Sequence, residues 1–136
     1  MQYAFSLAEK AKAQGEVPIG AVVVLDNKII GEGFNQPIAS HDPCAHAEIM
    51  ALRSAGKTIQ NYRLPGSVLY VTLEPCGMCL GAMAHARIAE LVYGASDPKK
   101  QTHHVAYSNH QFKITSGVLE KQCGDLLRDF FREKRG

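Results

Sequence analysis

Apolar positions along the 136-residue chain switch between a helical and an alternating or continuous pattern, and the switches outline its elements. Residues 2–14 set Ala4, Leu7, Ala8 and Ala11 at helical spacing among lysines and a glutamate, which predicts an amphipathic opening helix ended by Gly15. The unbroken run Ala21-Val22-Val23-Val24-Leu25 suits a strand buried on both faces. Asp26-Asn27 reads as a turn, and Lys28 to Phe34 returns as the second strand of a hairpin. Asn35 to Pro43, rich in Pro, Ser, Asn and Asp, reads as a loop leading to a helix from about Ala45 to Ala55, with Ile49, Met50 and Leu52 facing the core and Gly56 near its end. A third strand is expected over Ser67–Leu73, stopped by Glu74-Pro75, then a helix from Cys76 to about Ala86 and a fourth strand over Ile88–Gly94. Ala95 to Gln111 is a polar loop, Phe112-Lys113-Ile114 a short fifth strand, and Val118 to Lys134 a closing helix. That helix has Leu119, Cys123, Leu126, Leu127, Phe130 and Phe131 on its apolar side.

This order predicts an α/β fold, a three-layer α/β/α sandwich with a central mixed five-stranded sheet. No repeat, low-complexity tract or linker interrupts the chain, so residues 1–136 are expected to form one domain. Hydrophobic residues make up 46%, enough for a core, and no apolar run approaches the roughly 18 residues that suggest a membrane span. A basic start followed by a continuous apolar stretch is absent, which makes the cytoplasm the default location.

Net charge of +2 and a pI near 8.4 are too mild to announce nucleic-acid binding alone. Arg128, Arg132, Lys134 and Arg135 crowd the C-terminus and Lys99-Lys100 sit in the long polar loop, but a basic tail is often a solvated helix face.

The chemistry concentrates in His46-Ala47-Glu48 and, about thirty residues on, Pro75-Cys76-Gly77-Met78-Cys79. Together they spell H-x-E…P-C-x-x-C, the signature of zinc-dependent nucleobase deaminases. One imidazole and two thiolates make three ligands, the count of a catalytic zinc site that keeps its fourth position for water. Cys76 and Cys79, three apart on an opening helical turn, can point at one ion, and the helix N-terminus favours their thiolates. His46 and Glu48 are harder to reconcile: residues two apart on a regular helix diverge by about 200°. Both serve one site only if that turn lies across it. Glu48 is then the candidate proton carrier for attack by water and departure of ammonia, with a plain dipole-complementing acid as the bland alternative. A thioredoxin-like reading of the Cys pair leaves Pro75 and His-x-Glu without a role. Cys44 and Cys123 have no partner motif; Cys44, two residues before His46, is expected to be a buried or half-buried thiol. His41, His85, His103, His104 and His110 lack ligand spacing and receive no metal role.

The match extends beyond the zinc signature. Glu16-Val17-Pro18-Ile19-Gly20-Ala21-Val22, Gly33-Phe34-Asn35, Asp42-Pro43 before His46, Tyr70 to Cys76 and Asp129-Phe130-Phe131-Arg132 resemble the bacterial tRNA-specific adenosine deaminases over nearly the whole chain. The resemblance implies the cytidine deaminase-like fold and hydrolysis of a tRNA wobble adenosine to inosine by a homodimer. It also implies Zn²⁺ held by His46, Cys76 and Cys79, with Glu48 as proton shuttle. Asn35 matches the position that contacts the base, Asp97 one near the flanking nucleotide, and Phe130-Phe131-Arg132 a segment holding the anticodon loop, although core packing would explain both phenylalanines as well. One stretch departs: the family usually follows the Asp97 position with a Lys and a Gly-Ala-x-Gly-Ser loop. Here Pro98-Lys99-Lys100-Gln101-Thr102 runs straight into His103-His104, several residues shorter. The shortening bears on tRNA contacts and not on zinc chemistry. Two other readings share the signature, a deaminase of a free base or nucleoside such as guanine or cytosine, and a non-catalytic zinc subunit. Retention of Glu48 argues against the latter.

Overall fold

The computed structural model describes residues 1–100 and 111–135. Helix α1 (Gln2–Ala13) is followed by Gly15, whose φ of +77° an L side chain would resist, and then by β1 (Gly20–Leu25) and β2 (Lys28–Phe34). Asp26 and Asn27 between the strands have φ of 51° and 64°, the left-handed pair whose twist matches a tight hairpin. A four-residue helix, α2 (Pro37–Ser40), precedes α3 (Ala47–Ile59), β3 (Val68–Leu73), α4 (Gly77–Ala86) and β4 (Glu90–Ala95). β5 (Lys113–Thr115) and α5 (Glu120–Arg135) close the described chain.

The strands form one sheet in the order β2-β1-β3-β4-β5. β1 runs antiparallel to β2 and to β3, whereas β3, β4 and β5 are mutually parallel neighbours, so the sheet is mixed. The β3–β4 crossover is α4, as a parallel connection requires. Strand alternation sorts the side chains into two layers. Ala21, Val23, Leu69, Val71, Leu91 and Tyr93 join the main core under α3 and α4, with Ala47, Ala51, Leu80 and Met83 packed against them. Val22 and Tyr70 face the other way, against Ala4 and Leu7 of α1, and α5 packs on that same side, where Cys123 meets the backbone of Gly94. Gly33 lets α3 seat directly on the edge strand: a Cβ there would come 2.5 Å from the Ala47 carbonyl oxygen.

The three-layer expectation is met, with local differences. The segment read as a loop from Asn35 to Pro43 contains α2, too short to show a period. α3 begins at Ala47 and runs through Gly56 to Ile59, because tertiary packing outweighs the modest cost of an interior glycine. Leu119 takes a left-handed φ of 58°, so α5 starts at Glu120. Cys44 is exposed rather than half-buried, lying in the turn where its N–H donates to Asp42 Oδ1 at 2.9 Å. Phe131 is 45% exposed while Phe130 is 7%, so only one of the pair belongs to the core. His103, His104 and His110, and the far end of the shortened loop, lie outside the described residues.

Candidate active site

His46 is not in the helix it precedes. It occupies the N-cap of α3 with extended backbone (φ −70°, ψ 153°), and Cys76 occupies the N-cap of α4 in the same conformation (φ −78°, ψ 173°). That resolves the spacing problem: with His46 off the helical period, its ring and Glu48, in the first turn of α3, are free of the 200° divergence. Cys79 lies in the first turn of α4, one turn from Cys76. The two helix N-termini therefore bring the three side chains together with their partial positive ends toward the sulfurs.

His46 Nδ1 lies 3.6 Å from Cys76 Sγ and 3.6 Å from Cys79 Sγ, and all three donor atoms fall within 4.8 Å of one another. For ligands sharing a tetrahedral zinc at the usual Zn–N and Zn–S lengths, the expected N···S separation is about 3.6 Å. Donor set and spacing both fit that ion. The Cys79 thiol, hydrogen-bonding to its neighbour, brings Cys76 down to about 4, helped by His46 and opposed by burial. The same pairing, followed by burial and the nearby Glu48 carboxyl, pushes Cys79 well up. An ion that binds both sulfurs as thiolates displaces any proton the pair holds.

Glu48 is 4% exposed. Burial pushes its carboxyl above the usual carboxylate range; the Cys76 sulfur adds to this, while its own backbone N–H, His46 and Lys100 oppose it. A carboxyl whose hold on a proton is strengthened by burial, beside a metal-ligand set, is suited to accept and return a proton.

Asn35 follows β2 and is buried. Its N–H donates to Ile19 O and its Oδ1 accepts from Ala47 N–H, both at 3.0 Å, so the side chain holds the start of α3 beside His46. The other end of the amide has no protein partner among the described residues. Asp97 is tied to the Cys76 turn by its N–H, which donates to Glu74 Oε1 at 2.9 Å. Lys100 Nζ donates to Glu74 O at 2.9 Å and lies 3.7 Å from Asp97 Oδ2. The structure thus brings Asn35 and Asp97 to the metal-ligand set. Phe130 and Arg132 are elsewhere: both ride on α5, which packs on the opposite sheet face. Phe130 packs edge-to-face on Phe131 at 5.3 Å, and Arg132 is an exposed partner of Asp129 at 3.1 Å. His41 and His85 join no metal-ligand cluster among the described residues.

Sequence reading assigned no task to Glu74, whose buried carboxylate organises the Asp97 turn, or to Lys100. The only signal was position, since Glu74 sits next to Pro75-Cys76.

Residues 1–95 match the family model described as the cytidine and deoxycytidylate deaminase zinc-binding region. The tRNA-specific adenosine deaminase of Haemophilus influenzae is 52% identical over 143 residues, spanning 99% of this chain and 83% of that protein. A solved structure from a study of A-to-I editing by tRNA:A34 deaminases at the wobble position superposes with a TM-score of 0.88 at 40% identity, covering 93% of this chain and 97% of that one. A guanine deaminase from Nitrosomonas europaea shares the fold at a TM-score of 0.80 and 25% identity, covering 95% of this chain and 81% of that one.

Proposed function

Because the chain belongs to the cytidine and deoxycytidylate deaminase zinc-binding family, and within it to the tRNA-specific adenosine deaminases, we propose that it converts the wobble adenosine of a tRNA anticodon to inosine. Water is consumed and ammonia released. The observation that carries the reading is the His46–Cys76–Cys79 set with buried Glu48 beside Cys79. Those three residues would hold Zn²⁺, the cofactor, which when bound supplies the Lewis acidity that brings the pKa of water from about 15.7 to about 7.

The chain's own residues do the rest. Glu48 takes a proton from the attacking water as the new C6–O bond forms, and delivers it to the purine ring nitrogen. As the C6–N bond breaks, Glu48 takes the proton of the new C6 hydroxyl and passes it to the departing amine, so the C6 carbonyl forms, ammonia leaves and the enzyme returns to its starting state. Asn35, its Oδ1 occupied by Ala47, offers the other end of its amide to the purine edge. Asp97 stands at the rim for the flanking nucleotide. Arg132 contacts phosphate, and Phe130 acts by seating α5 and its exposed neighbour Phe131, on which an unstacked base can lie.

The chain works as a single catalytic domain and as a homodimer. Support comes from α4, where Met78, Gly81, Ala82 and His85 recur at helical spacing, Met78 and His85 exposed and Gly81 and Ala82 half-buried between them. No helix of the described residues is long and apolar enough to cross a membrane; a tRNA substrate supports a cytoplasmic location. The free-base reading, with guanine or cytosine as substrate, shares the zinc set but is not favoured by the nearly full-length likeness to tRNA-specific enzymes.

Zinc-loaded protein incubated with an adenosine-containing anticodon stem-loop should yield inosine and ammonia in equal amounts. Glu48→Ala should keep zinc and fold while turning over nothing detectable. Substantial residual inosine from that variant would remove Glu48 from the mechanism.

A further inference from the structure

Glu16 sits between α1 and β1 and takes no part in the chemistry above, yet it is only 2% exposed. Its two oxygens reach 22 and 23 residues along the chain: Oε1 accepts from Ile38 N–H at 3.3 Å and Oε2 from Ala39 N–H at 2.8 Å. This completes the donors of α2. Pro37 has no N–H, and Ser40 N–H donates to Gln36 O at 3.0 Å. A four-residue helix cannot recover the cost of its own nucleation, so its place is set from outside. Glu16 is the side chain that sets it.

The base of the same excursion is clamped independently. Gln36 N–H donates to Ala45 O at 3.0 Å, and Asn35 Oδ1 accepts from Ala47 N–H at 3.0 Å. His46, Glu48, Cys76 and Cys79 lie at the N-terminal ends of α3 and α4, not on α2. Pro37–Ser40 can therefore loosen while the metal-ligand set stays assembled. What α2 presents outward is Ile38, 72% exposed and three residues beyond Asn35.

We infer that Glu16 is a positioning residue for substrate: through the two N–H groups it holds Pro37–Ser40 as a fixed wall beside Asn35. Substrate binding depends on it; zinc binding and the chemical step do not. The inference rests on the deaminase reading above and names a residue that reading does not use.

The test compares full-length, zinc-loaded Glu16→Ala and Glu16→Gln with the unsubstituted chain. Zinc content, amide exchange at Ile38 and Ala39, and steady-state kinetics on an anticodon stem-loop are measured. Zinc should stay full in both variants, and the two amides should lose protection in Glu16→Ala and keep part of it in Glu16→Gln, which retains one acceptor. Losing both acceptors should raise KM about tenfold, and losing one about threefold, with kcat within about twofold. Unchanged KM in Glu16→Ala, a fall in kcat at constant KM, or a glutamine variant no better than alanine overturns the inference. Should Glu16→Ala fail to fold, Glu16→Gln decides, and an unchanged KM there overturns it. If the unsubstituted protein deaminates only a free base or nucleoside, the tRNA reading falls, and the same KM comparison on that compound decides the role of Glu16.

Discussion

Gly33→Ala probes the join between the edge strand and the helix that starts at the catalytic side chains. The added Cβ would lie 2.5 Å from Ala47 O, 2.6 Å from Ala51 N and 2.7 Å from Met50 Cβ. Two of these are backbone atoms of α3, so rotamer changes cannot absorb the clash and the helix must lift from β2. Overpacking of this kind costs about 1–3 kcal/mol. Replacing glycine within a strand returns roughly 0.5–1 kcal/mol by restricting the unfolded chain, which leaves a net loss of about 1–2 kcal/mol. For a domain of this size that is a Tm lowered by roughly 4–10 °C. Because Ala47 directly follows His46, the displacement also moves one member of the His–Cys–Cys set, and zinc should leave the variant faster in a chelator competition. Gly124→Ala is the control, since its Cβ would meet only the mobile Arg128 guanidinium at 3.3 Å, and helix propensity should then stabilise by about 0.5–1 kcal/mol. Equal Tm values for the Gly33 variant and the unsubstituted protein, with equal zinc off-rates, would refute the reasoning.

Asn35→Ala leaves the buried Ala47 N–H without its acceptor and should cost about 1–3 kcal/mol, whereas Asn35→Asp keeps the acceptor but buries a carboxyl, so it should approach the unsubstituted stability only at acid pH while losing turnover; denaturant midpoints against pH, beside activity, separate the two. Burial raises the folded pKa of Glu48 above its unfolded value. In zinc-free protein the resulting stabilisation is complete below the unfolded value of about 4.3 and is lost as pH rises through the folded value. Glu48→Gln, neutral throughout, should therefore gain stability over the unsubstituted zinc-free protein as pH rises above that unfolded value, and a difference in urea midpoint that does not change with pH would contradict this. Stripping zinc should release Cys76 as a thiolate, held down to about 4 by Cys79 and His46, so that alkylation mapping finds it modified at pH 6 only after chelation. Cys123, pushed up to about 11 by burial, should stay unmodified in the folded protein either way.

The layers and the metal-ligand set were legible because each rests on a local signal. The β-branched run at Val22-Val23-Val24, the turn pair Asp26-Asn27 and the C-x-x-C spacing all lie within a few residues. What was not legible depends on partners far along the chain. α2 exists because Glu16 reaches Ile38 and Ala39, which no window around Pro37 contains. His46 and Glu48 seemed to diverge only while both were placed on a helix. The extended N-cap at His46 depends on Asn35, eleven residues earlier, accepting the first helical N–H, that of Ala47. Phe130 and Phe131 are indistinguishable by composition, and only the face that α5 turns inward decides which is buried.

The central claim is that this metal-ligand set acts on an adenine presented by tRNA. Its most direct test is incubation of zinc-loaded protein with total tRNA, mapping inosine by position, with free adenosine, guanine and cytosine assayed in parallel. Inosine confined to a wobble adenosine, with the free compounds untouched, is the predicted result. Deamination of a free compound with tRNA left unmodified would contradict it.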